Sequence, residues 1–516
     1  MKLAALLLYS VILNSVYGLK LLIVFPVPAR SHYILGNSLS KGLANLGHDV
    51  TFIAAFSEPN PPKTLKQIVL KELGEVRDEQ PRNMFEMADI SPFFQIFFLN
   101  GIGAMMTERV LEHPDTQKLL HSNEKFDAVI MEQFMSDALT ALGHHFNAPL
   151  IVFSTLGANR WVNNLVANPE PASYVPDLFL STSSEEMAFT ERAYNLIFGM
   201  VAQLNLYYLV YPKQKKIAEK YFPGIPDFEK IHSNVSLVLL NSHESIGQPV
   251  PHVPNMIDIG GYHVQPPKAL PKDLQDFMDS AKEGIIYFSM GSNLVPSQMP
   301  IRTKNVILKV LGSRKEKVLW KWDEDQLENK PANVKISKWF PQQDILAHPN
   351  CKLFITHGGL LSTTETVTMG VPILAFPIFG DQKLNAKRAE SLGFGKSLEF
   401  SSITEEELAS TLNELLSNPK YKKNAKLRSQ LLKDRPVKPI ELADYWIKYV
   451  VKYGGAPHLR VAGIRLPFYK YWFLDVVAVF GGGFVLSIYV LGKLCKYRKC
   501  NRAKKQLKES SKKKRQ

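Results

Sequence analysis

A chain of 516 residues is long enough to bury two separate hydrophobic cores. Its 45% hydrophobic content is ordinary for a folded protein, and three cysteines cannot build a disulfide framework. The formal net charge of +14 invites a nucleic-acid reading, yet from Lys493 onward twelve Lys or Arg face one acid, Glu509, so +11 of it lies in the last segment. That distribution excludes a basic groove over the folded part and points to a solvated tail beside anionic lipid.

In chain order, Lys2, the apolar run Leu3 to Leu13 and small residues up to Gly18 predict a secretory signal peptide over residues 1–18. Leu19 to Val27 is an apolar strand, Pro28 to Ser31 a turn, and Leu35, Leu39, Leu43 and Leu46 then recur at helical spacing. His32 falls at this strand-to-helix junction, which in a doubly wound α/β domain faces the ligand crevice. His48, His144 and His145 read as structural. Met84 to Met106, with Phe93, Phe94, Phe97, Phe98, Met105 and Met106, and the run Phe198 to Tyr211 suit a soft apolar pocket, a membrane-touching surface or ordinary core. The strand Phe126 to Met131 is followed by two acids, Glu132 at its end and Asp137 opening a helix. Asn234-Val235-Ser236 is a glycosylation sequon.

Gly247 to Lys272 carries Pro249, Pro251, Pro254, Pro266, Pro267 and Pro271, a linker composition. A second α/β domain starts with the strand Gly284 to Met290 and the turn Gly291-Ser292. Trp339-Phe340-Pro341-Gln342 follows, and then the strand Lys352 to Thr356, a glycine turn at Gly358-Gly359 and a helix over Leu360 to Met369. A strand, a glycine turn and a helix start form an anion trap, because unpaired backbone N–H groups and the helix dipole favour negative charge there. His357 adds a donor. Ser362-Thr363-Thr364-Glu365 also fits a capping box, and Asp381-Gln382, after the strand Val371 to Ile378, could simply cap a helix starting near Lys383. Further helices are expected over Glu405 to Lys433 and Ile440 to Lys452. Phe473 to Leu491 is a membrane-spanning run whose only charge is Asp475, and the basic residues after it place the tail in the cytosol and the rest in the lumen. Lys513-Lys514-Arg515-Gln516 matches a dilysine retrieval signal of the endoplasmic reticulum.

Phe354 to Gln382 matches the signature of the UDP-glycosyltransferases, and the chain resembles their animal membrane-bound branch over nearly its whole length, most like the insect members. The resemblance implies a GT-B fold, two facing Rossmann-like α/β domains with a cleft between them, plus one C-terminal transmembrane helix. The domains would be 19–246 for the acceptor and 284–435 for the donor, joined by a linker at 247–283. A C-terminal helix and juxtamembrane segment at 436–470, a span at 471–492 and a basic cytosolic tail at 493–516 complete the chain. By the same resemblance Trp339 stacks on uracil, and Gln342 contacts the nucleotide. His357, Ser362 and the Gly359 backbone meet the diphosphate, Glu365 holds the ribose hydroxyls, Asp381 and Gln382 grip the sugar, and Ser292 faces the cleft. His32 matches the family's catalytic base, with Glu132 or Asp137 behind it. Many relatives carry Asn where this chain has Leu361, which bears on donor affinity. The implied reaction moves a hexose, glucose in the insect branch, to a hydroxyl of a small lipophilic acceptor with inversion. UDP-glucuronate as donor and a non-catalytic binding role are the alternatives. No metal or other cofactor is expected, since no dense His/Cys/acid cluster has ligand spacing. Expected partners are the UDP-sugar, the acceptor and membrane lipid, without nucleic acid and with self-association left open.

Overall fold

The computed structural model describes residues 18–78, 83–181 and 186–514. The expected signal peptide, apart from Gly18, and the last two residues of the tail lie outside them. The chain divides into two compact units, one ending at Arg460 and the other starting at Val461.

The first unit opens with β1 (Lys20–Phe25), α1 (Arg30–Asn45), β2 (Asp49–Ala54), β3 (Leu65–Val69), α2 (Pro92–Glu112), β4 (Ala128–Glu132) and β5 (Leu150–Ser154). Next come α3 (Arg160–Val166), α4 (Phe189–Asn205), α5 (Tyr211–Tyr221), α6 (Phe228–His232), β6 (Val235–Leu240), β7 (Met256–Asp258) and α7 (Lys272–Asp279). The strands pair in parallel in the order β3-β2-β1-β4-β5-β6-β7. A second parallel sheet contains β8 (Ile285–Ser289), β9 (Lys317–Lys321), β10 (Val334–Ser337), β11 (Cys351–Thr356), β12 (Ile373–Ala375) and β13 (Gly395–Ser397), in the order β10-β9-β8-β11-β12-β13. Its helices include α8 (Gln342–Ala347), α9 (Leu360–Met369), α10 (Gln382–Ser391), α11 (Glu405–Ser417), α12 (Pro419–Lys433) and α13 (Pro439–Lys452). Strands such as β4, β5 and β8 are buried at every residue, which is why they read as unbroken apolar runs rather than alternating ones.

Several boundaries differ from the expectation. Helix α1 starts at Arg30, so His32 lies in its first turn rather than before it. The strand expected over Val371 to Ile378 pairs only over Ile373–Ala375, since Pro372 and Pro377 have no N–H for a ladder. The helix expected over Glu405 to Lys433 is two helices broken at Asn418, whose side chain caps α12 at Lys420 ahead of Pro419. The 247–283 linker is partly structured: β7 extends the first sheet, and α7 packs on the core of the second. Nor does the 246 boundary separate the cores, because Phe85, Met87 and Ala88 are buried in the second sheet's core, with Phe85 stacked on Phe400 at 5.0 Å. Cys351 is enclosed, and burial pushes its thiol up to about 12, leaving it unreactive.

Helix α13 returns to the first sheet, burying Ala443, Ile447 and Val450 beside Leu39 and Leu43. Gly42 lets it approach, since a Cβ there would lie 2.6 Å from Ile440 Cδ1. The fully buried His48 joins the layers: its Nδ1 accepts from the Leu19 N–H at 2.9 Å, and its Nε2 donates to Asp444 Oδ1 at 2.7 Å. In the second unit α14 (Leu474–Lys513) is one unbroken helix, long and apolar enough to cross a bilayer, and it continues into the basic tail.

Replacing Asp444 by Ala leaves the buried His48 N–H unpaired and should cost about 1–3 kcal/mol, read as a lower urea midpoint; an unchanged midpoint would remove this tie from the account. Buried His263, pushed down to about 4 by desolvation, should make the fold acid-sensitive. Below its ordinary value of about 6.5 the unfolded chain takes up a proton the native ring refuses, so stability falls as pH drops from about 6.5 toward about 4. Chemical unfolding of His263→Phe across that range should show a shallower decline than the parent chain.

Candidate functional site

Both sheets reverse strand order once, between β1 and β4 and between β8 and β11, and in parallel sheets the turns beyond such a reversal form a ligand crevice. His32 follows β1, Glu132 ends β4, Gly291 and Ser292 follow β8, and His357 to Gly359 follow β11. The four turns meet at a cavity of about 690 Å³. His32 lines one wall, and Ser292, Trp339, Gln342, His357, Gly359, Ser362, Glu365, Asp381 and Gln382 line the other.

On the first wall, His32 Nδ1 pairs with Glu132 Oε1, while the Phe134 ring stands edge-on to the imidazole at 4.8 Å. Glu132 is fully buried. Asp137, the other acid considered, does not reach His32: its Oδ1 lies 2.7 Å from His232 Nε2 and accepts from Gln133 Nε2 at 2.8 Å. The remaining lining is apolar, with Met84, Leu99, Ile102, Met106, Trp161 and Phe179. Of the Phe/Met-rich stretch, therefore, Met84 and Met106 reach the cavity, while Phe94 and Phe97 are exposed and Phe93 packs on Phe198 at 5.0 Å. The run from Phe198 divides likewise: Phe198, Ala202, Leu206 and Val210 are core, and Met200, Leu204 and Tyr208 face outward.

The second wall is built on α9. Gly358 at φ 81° turns the chain out of β11, and His357 is held between two glycines: a Cβ on Gly291 would lie 2.6 Å from its Cε1, and one on Gly359 2.6 Å from its Nε2. Gly359 is the N-cap, so Ser362 lies inside the first turn and the capping-box reading fails. Glu365 instead accepts from Gln342 Nε2 at 2.5 Å and Gln343 Nε2 at 2.8 Å, and Gln342 also donates to Ser362 Oγ at 3.2 Å. Asp381 makes no side-chain cap on α10; its carboxylate accepts from Asn385 Nδ2 at 2.6 Å, one turn on. Gln382 Oε1 accepts from the Ile378 N–H at 2.8 Å, pinning the loop before Asp381. Trp339 is 62% exposed, with Lys321 Nζ 4.8 Å from its ring centroid, and so presents an open face. Gln343, Asn385 and Lys321 escaped the sequence reading, although Asn385 sits at the i+4 spacing from Asp381 that a helical partner requires.

Burial raises the carboxyls of Glu365 and Asp381 above their ordinary range, and burial together with Lys321 pushes His357 down to about 4. His357 is therefore a neutral donor near pH 7. Leu361 packs against the first sheet's core, so this helix start also closes the seam between the sheets. Asn234 lies away from the cavity at the head of β6, exposed, with its Oδ1 accepting from Arg460 Nη1 at 2.6 Å. Among the described residues no group of three or more His, Cys, Asp or Glu is placed to hold a metal ion.

Comparison with known proteins identifies the family and the fold. The family described as UDP-glucoronosyl and UDP-glucosyl transferase matches residues 44–509. The chain is 34% identical to UDP-glycosyltransferase UGT5 of Dactylopius coccus over 90% of its own length and 89% of that protein's. It is 33% identical to UDP-glucosyltransferase 2 of the same insect, over 96% of each. With human UDP-glucuronosyltransferase 1A8 it shares 33% identity over 84% of its length and 81% of that protein's. Among solved structures, a UDP-glucosyltransferase from Polygonum tinctorium superposes with a TM-score of 0.55 at 17% identity, covering 85% of this chain and 99% of the other. The glycosyltransferase of kitacinnamycin gives 0.56 at 16%, covering 83% and 99%. These structures establish the GT-B fold, and the sequence matches establish that the chain belongs to the UDP-glucoronosyl and UDP-glucosyl transferase family and is a UDP-glycosyltransferase.

Proposed function

We propose that the chain transfers glucose from UDP-glucose to a hydroxyl of a small lipophilic acceptor, with inversion at the sugar carbon and His32 as general base. The observation that carries this reading is that the Glu132-paired His32 and the α9 helix start open onto one cavity from opposite walls. His32 would take the acceptor proton as the new C–O bond forms, and Glu132 would stabilise the resulting imidazolium. The bond to the departing diphosphate breaks with its electrons on UDP. His357, Ser362 and the N–H groups opening α9 would meet that charge. Trp339 offers a face for uracil, Glu365 for the ribose hydroxyls, and Asp381 with Gln382 for those of the sugar.

Glucose is supported by the insect relative matched over 96% of each chain, a UDP-glucosyltransferase by name. The Asp381 carboxylate also supports it, because a neutral hexose would offer it hydroxyl donors and a hexuronate a like charge. The apolar wall of Met84, Leu99, Ile102 and Trp161 supports a lipophilic acceptor. The apolar start of α14 and the basic residues that follow support a single-pass anchor in the endoplasmic reticulum membrane, with the catalytic body lumenal and the tail cytosolic.

His32→Ala should lower kcat by about 10²–10⁴-fold while UDP still binds, and undiminished turnover would remove His32 from the role of base. In microsomes carrying the chain, labelled UDP-glucose should support transfer to a panel of phenols and aliphatic alcohols; activity with UDP-glucuronate alone would overturn the donor assignment.

A further inference from the structure

Asp137 and His232 form a second buried carboxylate–imidazole pair, behind the one at His32. The chain leaves β4 at Glu132 and turns through residues 133–136 before Asp137. At the centre of this turn Met135 adopts a left-handed conformation, φ 60°, while fully buried. L side chains rarely adopt that conformation, so the surroundings must impose it. They come from three helices. Gln214 of α5, fully buried, donates from Nε2 to the Met135 carbonyl at 2.7 Å and accepts from the Ala138 N–H at 2.9 Å. His232, the last residue of α6, meets Asp137 Oδ1 at 2.7 Å, where Gln133 Nε2 also donates. Gly103 of α2 lets that helix rest directly on Met135, where any Cβ would collide. Within the turn, Ser136 Oγ donates to the Glu132 carbonyl at 2.8 Å.

The two residues this turn carries toward the cavity are Glu132, which pairs with His32, and Phe134, whose ring stands against the imidazole and against Trp161 at 5.6 Å. A buried carboxylate is costly unless paired, and Asp137 Oδ2 finds no hydrogen-bond partner among the described residues. Apolar filler would close the same space at less cost. We infer that Asp137 and His232, with Gln214, are positioning residues for transfer: they clamp the 133–136 turn and so hold the Glu132 carboxylate and the Phe134 ring in register with His32.

The inference rests on His32 being the base, and the experiment separates the two. In the full chain in microsomes, His232→Leu should lower kcat by about 10-fold or more, because a base displaced by a fraction of an ångström loses much of its rate. Donor KM and UDP affinity should stay within about 2-fold, since the donor wall belongs to the other sheet. His232→Gln, which keeps a donor toward Asp137, should restore most of the rate. Gly103→Ala, which pushes Met135 from the opposite side, should reproduce the kcat-selective loss without touching the pair. Unchanged kcat in His232→Leu, or a parallel loss of kcat and UDP binding in all three variants, overturns the positioning role. Undiminished turnover in His32→Ala overturns the base reading instead.

Discussion

A parallel strand delivers its last residue and the following turn at its carboxyl end, and in each sheet the order of strands reverses once, between β1 and β4 and between β8 and β11. At a reversal the neighbouring connections leave toward opposite faces, so a crevice opens that no helix fills. Two such crevices face each other across one cavity. His32 and Glu132 come from the turns of one reversal, and Ser292 and His357 from the turns of the other, although some three hundred residues separate the ends of that set. The constraint is geometric before it is chemical: the central strands β1, β4, β8 and β11 are largely apolar between their ends, so polar side chains reach the cavity mainly from strand ends and turns.

Holding the crevices together requires contacts that cross between the sheets, and these are distributed rather than concentrated. Helix α13 returns from the second sheet and buries Ala443, Ile447 and Val450 in the first, tied by the His48–Asp444 bond. In the opposite direction, Phe85 and Met87 insert into the core of the second sheet, and Gln95 Oε1 accepts from the Gly380 N–H at 3.1 Å, next to Asp381. Helix α2 therefore lines the apolar wall with Leu99, Ile102 and Met106 while touching the loop that presents Asp381. A change in how this apolar wall is packed has a short physical route to Asp381.

The cleft also shows what burial does to charge. Burial pushes the carboxyls of Glu365 and Asp381 up and the imidazole of His357 down, so three groups on this wall are held away from their ordinary titration ranges. Hydrogen bonds from Gln342, Gln343 and Asn385 keep the two carboxyls oriented without supplying a full counter-charge. Such carboxyls gain most when a ligand brings hydroxyl donors into their reach.

The sequence alone determined what depends on neighbours a few residues away. Apolar runs marked β1, β4, β8 and β11, the glycine turn marked the start of α9, and Gly370 marked its end, because strand burial, backbone freedom and capping are local properties. The helix break at Asn418-Pro419 and the shortening of β12 by its flanking prolines are written there as well, in backbone chemistry rather than in apolar periodicity. Only the tertiary structure decided which of Glu132 and Asp137 pairs with His32, that Glu365 turns to Gln342 and Gln343 rather than capping its own helix, and that Leu361 packs into the opposite core. Each of these is settled by which elements lie side by side across a hundred or more residues of chain, or across facing helices. A single sequence carries no direct record of such adjacency, since many residue types can fill a given contact while only folding sets the distance.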